Sequence, residues 1–119
     1  MYPIELLEEA NNDPVFSQFP TKFNMMHWHN DMPGLPDKSV LLASSKGCPR
    51  QAIRYGDRVY GLQFHMEMTA ELLSGMVAHC AHDLKPSLYV QDKEKLLTAN
   101  LTAMNKKLYN ILDYLVAFK

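Results

Sequence analysis

An α/β fold, with short strands in the first half and two helices in the second, is what this sequence predicts. Three observations carry that expectation. Residues 22–65 hold apolar runs of strand length, interrupted by Pro, Gly and Asp. From Ala70 onward the apolar residues recur at steps of three and four, the period of one helix face. Strand signals and helix signals occupy separate parts of the chain, which argues against a helical bundle or a β-sandwich.

The elements follow in order. "NNDPVFSQFP", residues 11–20, carries two prolines and reads as a loop with one short helical turn. "KFNMMHWH", 22–29, is strand-like, and "NDMPGLPDK", 30–38, is a loop. "SVLLASS", 39–45, is a short buried strand. "RQAIRYGDRVYGLQFH", 50–65, reads as a hairpin about its Gly-Asp turn. The first helix spans 70–84, with Leu72, Leu73, Met76, Val77, Cys80, Ala81 and Leu84 on its apolar face. Thr69 suits its N-cap and Glu71 its first turn. Pro86 stops it, because the residue before a proline avoids helical geometry. A second helix is expected from Asp92 to Phe118, with Leu97, Leu101, Met104, Leu108, Ile111 and Leu115 on one face. Unbroken, it would be roughly 40 Å long at the α-helical rise. One domain is expected, with strands and loops over 1–68 and helices over 69–119.

Composition narrows the function classes. The 119 residues are 47% hydrophobic and 21% charged, as in an ordinary globular chain. Twelve basic and 13 acidic side chains leave a net charge of −1. That balance offers no attraction to nucleic acid or to an anionic membrane. No apolar run approaches the roughly 18 residues of a membrane span. The acidic start, "MYPIELLEEANND", lacks the basic region of a signal peptide. Two cysteines, Cys48 and Cys80, make no disulfide framework, so a reducing, cytoplasmic setting is the expectation.

"GLQFHMEM", 61–68, carries the chemistry. Residues two apart in an extended chain face the same way, so His65 and Glu67 share a side. A carboxylate that accepts from one imidazole nitrogen fixes the tautomer and raises the basicity of the other. Such a pair is a general base that needs a nucleophile. A lone His-x-Glu is also found at ordinary strand ends, so spacing alone does not decide.

Other candidates read more plainly. His27 and His29 could join His65 in a three-histidine zinc site, but no cysteine or fourth ligand is spaced to help, and no metal is expected. Cys80 sits on the apolar helix face as core, whereas His79 and His82 fall on the polar side. Trp28 is expected in the core. Tyr89, Tyr109 and Tyr114 are expected to pack around the long helix. Met25, Met26, Met66 and Met68 read as gap-filling core rather than a copper site.

Three stretches in order, "MHWHND" with "LP", then "VLLASSKGCPRQAIRYGDRVYGLQFHMEMT", then a helix, resemble the class I glutamine amidotransferases. The likeness is nearest to their GMP-synthase-like branch, and "DPVFSQFP" matches the loop before the first stretch. The resemblance implies the C-terminal half of a flavodoxin-like domain. It also implies release of ammonia from glutamine by a Cys-His-Glu triad, through a glutamyl thioester, without a cofactor. His65 matches the catalytic histidine and Glu67 the glutamate that orients it, with Met66 where proline is frequent. His29 and Asp31 match a loop near the glutamine pocket. The family's G-x-C-x-G nucleophile elbow and its oxyanion loop have no counterpart here. "KGCPRQ" corresponds to a strand-connecting loop, so Cys48 is not expected to replace the nucleophile.

The chain is therefore expected to be inactive alone, as a truncated product or one part of a split pair. Its expected partners are a missing N-terminal half or a synthase that supplies the ammonia acceptor. Relatives that hydrolyse γ-glutamyl bonds share this half. The alternative is a non-catalytic module that kept the half-fold as an oligomeric or partner-binding unit. A half-sheet leaves an open edge and an uncovered apolar face, so self-association is expected, with the long helix at the contact.

Overall fold

A computed structural model describes residues 1–117; Phe118, the far end of the expected second helix, lies outside the described residues. Five antiparallel strands form one sheet. They are β1 (Tyr2–Leu6), β2 (Lys22–Met25), β3 (Ser39–Ser44), β4 (Ala52–Tyr55) and β5 (Val59–Leu62), in the spatial order β2-β1-β3-β4-β5. Three helices follow: α1 (Ala70–His79), α2 (Lys93–Leu97) and α3 (Thr102–Ala117).

β1 escaped the sequence reading. Its alternation is sound, with Ile4 fully buried between two exposed neighbours. Pro3 argues against a central strand, because it donates nothing to a ladder. The register resolves this: β3 pairs with β1 only at Glu5 and Leu6, so that ladder ends before it reaches Pro3. β3 and β4 slip register between Leu41 and Ala43, a bulge that leaves Leu42 extra. The Leu42 carbonyl instead accepts from Leu7 N at 2.9 Å. The β4–β5 hairpin turns at Gly56, whose φ of 59° suits a residue without a side chain.

The sheet curls until its edges meet. β2 and β5 are the outer strands, yet Met26 and His65, just beyond them, form an antiparallel bridge. His65 N donates to Met26 O at 2.8 Å. The open edge expected of a half-sheet is thus closed at this point.

The loop of residues 11–20 folds as 3-10 turns around Asp13, which is 1% exposed. One carboxylate oxygen accepts from Val15 N at 2.9 Å and Phe16 N at 2.8 Å. The other lies 2.8 Å from Arg54 Nε, an ion pair rather than an aligned hydrogen bond, and 3.2 Å from the Tyr60 hydroxyl. Asp13 thereby ties the loop to both strands of the hairpin.

The helices differ from expectation in length. α1 starts at its Thr69 cap, whose side chain accepts from Leu72 N. It ends at His79 rather than Leu84, and a 3-10 turn over Ala81–Asp83 continues it. The long second helix is broken. Thr98 caps α2 and α3 begins only at Thr102, so Leu97 is exposed while Leu96, Met104 and Ile111 enter the core. Asp92 starts α2 by accepting from Lys95 N at 2.8 Å. Met25, Met26, Met66 and Met68 are all buried in the core. Two tyrosines depart from the reading: Tyr109 is exposed, and Tyr89 packs over Gly47 and Tyr2 instead of the long helix. Tyr114 does pack on the core, edge-on to Tyr60.

Removing the Asp13 carboxylate takes the ion-pair partner from Arg54 Nε and the acceptor from two amides. Asp13→Ala is expected to destabilise the fold by about 3 kcal/mol or more, the range for breaking a buried ion pair. Urea unfolding measures it, and a loss below about 1 kcal/mol would remove Asp13 from this role.

Candidate functional site

The seam positions the site. β5 ends at Leu62, and the chain continues through the bridge at His65 to the cap of α1 at Thr69. Phe64, Met66 and Met68 alternate into the core, which turns His65 and Glu67 outward. His65 Nδ1 lies 2.7 Å from Glu67 Oε1. Glu67 Oε2 accepts from Met66 N at 2.9 Å. With the carboxylate accepting, Nδ1 carries the proton and Nε2 keeps its lone pair. Burial pushes the Glu67 carboxyl up. Its own amide, the His65 ring and the Met66 amide together outweigh burial and hold it below the usual glutamate range.

His29 and Asp31 lie on the neighbouring loop. His29 Nδ1 is 3.0 Å from Asp31 O, and Gln63 Nε2 donates to the same carbonyl at 3.0 Å. Gln63, two residues before His65, therefore ties this loop to the strand end. His27 is tilted against His29, their ring centroids 5.7 Å apart, and its Nε2 lies 3.3 Å from Tyr2 O. Burial pushes His27 down to about 4 from an ordinary 6.5, with the charges of His29 and, more weakly, His65 adding to it. Among the described residues, no group of three His, Cys, Asp or Glu side chains is placed to hold a metal ion.

Trp28 is half-buried and packs against the core, and its indole donates to Asp83 Oδ2 at 3.1 Å. Regular pairing stops at Met25, so alternation along the strand no longer assigns faces at Trp28. A groove of about 770 Å³ opens beside it, lined in part by Trp28, His29, Asp31, Cys48 and Tyr89. His65 and Glu67 do not line this groove. Cys48 is 5% exposed, its thiol 3.5 Å from Arg50 O. Ser45 knots that loop: its hydroxyl bonds both Cys48 N and Cys48 O at 3.1 Å and accepts from Gln51 Nε2 at 2.9 Å. Cys80 is half-buried, while His79 and His82 are exposed.

Two contributors had no sequence signal. Gln63 is one. The other is Asn105 on α3, which donates to Met66 O at 2.6 Å and Met68 O at 3.1 Å. Neither sits in a recognisable spacing, because each acts across the fold.

His27 gives the fold a pH dependence with a definite sign. Its folded value is depressed, so the unfolded chain takes up a proton first as pH falls. Its stabilising contribution is complete above pH 6.5 and declines from there to about pH 4. The urea midpoint should fall across that window, and His27→Gln should flatten the fall. An unchanged slope in the variant would assign the acid sensitivity to other groups.

No protein-family model matches the chain. A glutamine amidotransferase-like protein of Salmonella typhimurium, YfeJ, is 40% identical over an alignment of 117 residues that covers 96% of this chain and 49% of that protein. The crystal structure of SMU.1228c superimposes with a TM-score of 0.88 at 41% identity, covering 97% of this chain and 50% of the other. A glutamine amidotransferase of Thermotoga maritima shares the fold, with a TM-score of 0.81 at 24% identity, over 98% and 49% of the two chains. The chain spans about half the length of each. In sequence and in fold it is a glutamine amidotransferase-like protein that matches half of its relatives' length.

Proposed function

We propose that this chain is the base-carrying, C-terminal half of a class I glutamine amidotransferase domain. The observation that carries the reading is the 2.7 Å contact of His65 Nδ1 with Glu67 Oε1 at an outward-facing strand end. Glu67 orients the imidazole and stabilises its protonated form. His65 Nε2 takes the proton of a cysteine thiol supplied by a complementary half. The thiolate attacks the side-chain amide carbon of glutamine, and His65 returns the proton to the departing ammonia. The resulting glutamyl thioester is hydrolysed by a water that His65 deprotonates, which yields glutamate and frees the cysteine. His29 and Asp31, held by Gln63, contribute to glutamine binding on the neighbouring loop. The ammonia acceptor belongs to a synthase partner or a further domain.

Cys48 does not supply the nucleophile on this reading. It is buried, and its thiol faces a backbone carbonyl in a loop tied by Ser45. The purified chain is therefore expected to release no more glutamate from glutamine than its His65→Ala variant. Release that disappears in His65→Ala would overturn the reading and make Cys48 the next residue to replace. When a nucleophile-bearing half is added in trans and restores release, His65→Ala should cut it by about 10³-fold or more, because triad members act as a unit.

A second reading, a self-associating module, has its own observation. Tyr109, Leu112 and Val116 recur at steps of three and four along α3, and they are 60%, 43% and 85% exposed. The opposite side of α3 already buries Met104 and Ile111. A surface stripe of this kind fits a second copy of the helix. Light scattering at micromolar concentration should read a dimer that Leu112→Glu converts to a monomer. A monomeric parent chain excludes it.

A further inference from the structure

Residues 66–69 pair with no strand, and only Thr69 O is taken up by α1, through Leu73 N at 2.9 Å. The carbonyls of Met66 and Met68 need donors from elsewhere. α3 supplies both from one side chain: Asn105 Nδ2 lies 2.6 Å from Met66 O and 3.1 Å from Met68 O. A single amide nitrogen thus directs its two hydrogens to the carbonyls on either side of Glu67.

The first of these carbonyls belongs to the peptide that joins Met66 to Glu67. A trans peptide is planar, so its C=O and N–H point in opposite directions. Holding Met66 O from the α3 side turns the Glu67 N–H away from α3. That N–H is among the groups that hold the Glu67 carboxyl below its ordinary value. The carboxylate's own hydrogen bonds come from the Met66 N–H, at 2.9 Å, and the His65 ring, at 2.7 Å. Gripping the carbonyls on either side of Glu67 therefore fixes the backbone that carries the carboxylate. Docking α3 does not require this amide, because Met104 and Ile111 already bury that helix. Asparagine is also a weak helix former, so helix propensity does not recommend it in the first turn of α3.

We propose that Asn105 is the positioning residue of the His65–Glu67 pair, anchoring from α3 the peptide that aims Glu67 at the imidazole. This rests on the reading of His65 and Glu67 as base and orienter. It gives α3 a part in the site through the backbone on either side of Glu67.

The test is carbon-detected NMR titration of the Glu67 carboxyl, with the low-field Nδ1 proton of His65 as a second readout. The full chain is compared with Asn105→Ala, Asn105→Ser and His65→Ala. Asn105→Ala should move the Glu67 midpoint up toward the ordinary glutamate value and abolish the Nδ1 signal, with helix content by circular dichroism unchanged. Asn105→Ser keeps one donor and should fall between. A Glu67 midpoint in Asn105→Ala equal to the parent's, with the Nδ1 signal intact, overturns the proposal. If Asn105→Ala does not fold, Asn105→Ser decides on the same criterion. His65→Ala separates the two ideas. A Glu67 midpoint indifferent to His65→Ala but raised by Asn105→Ala would sink the base-and-orienter reading and leave the anchoring of Glu67 standing.

Discussion

The bridge between Met26 and His65 is the constraint on which the site depends. A five-stranded antiparallel sheet left open would end in two unsatisfied edges, each a template for aggregation. Here the edge strands β2 and β5 run on past their last regular pairs until one hydrogen bond of 2.8 Å joins them. The residue at that seam is His65. Its backbone is therefore fixed from both ends of the sheet at once, and its ring has no freedom to drift with a loose strand end. A side chain on a rigid element keeps its geometry better than one on a loop.

Two carboxylates then do opposite work. Asp13 is buried and encircled by amides, a hydroxyl and Arg54, and it holds the N-terminal loop against the hairpin. Glu67 is outward-facing and receives just enough donors to stay ionised beside an imidazole. The first arrangement stabilises the scaffold. The second holds a charge beside the His65 imidazole. Burial separates them, because a deeply buried carboxylate needs all its lone pairs satisfied, whereas an exposed one can reserve an oxygen for a partner.

The helices complete the picture of a half-length domain. α1, α2 and α3 cover the sheet with Leu73, Val77, Leu96, Met104 and Ile111, so a coherent core forms within 117 described residues. A groove lined in part by the exposed apolar side chains of Met32 and Tyr89 stays open. The relatives are about twice as long as this chain.

By itself the sequence determined the order of elements, because short-range periodicity and turn chemistry are local properties. The hairpin at Gly56, the Thr69 cap, the loop at 30–38 and the methionine core were all legible in residues near one another. So were His65 and Glu67, because an alternating chain that buries Phe64, Met66 and Met68 must turn the residues between them outward. What tertiary structure alone decided are the pairings across large sequence separations. β1 was hidden by Pro3, whose tolerance depends on where β3 stops pairing. The break between α2 and α3 was hidden by an unbroken apolar period that continues through residues 98–101. The half-buried Trp28, the Asp13–Arg54 contact, the seam at Met26 and the reach of Asn105 to Met66 follow from the curl of the sheet. No local pattern encodes that curl, because it arises from strands 20 to 40 residues apart meeting in space.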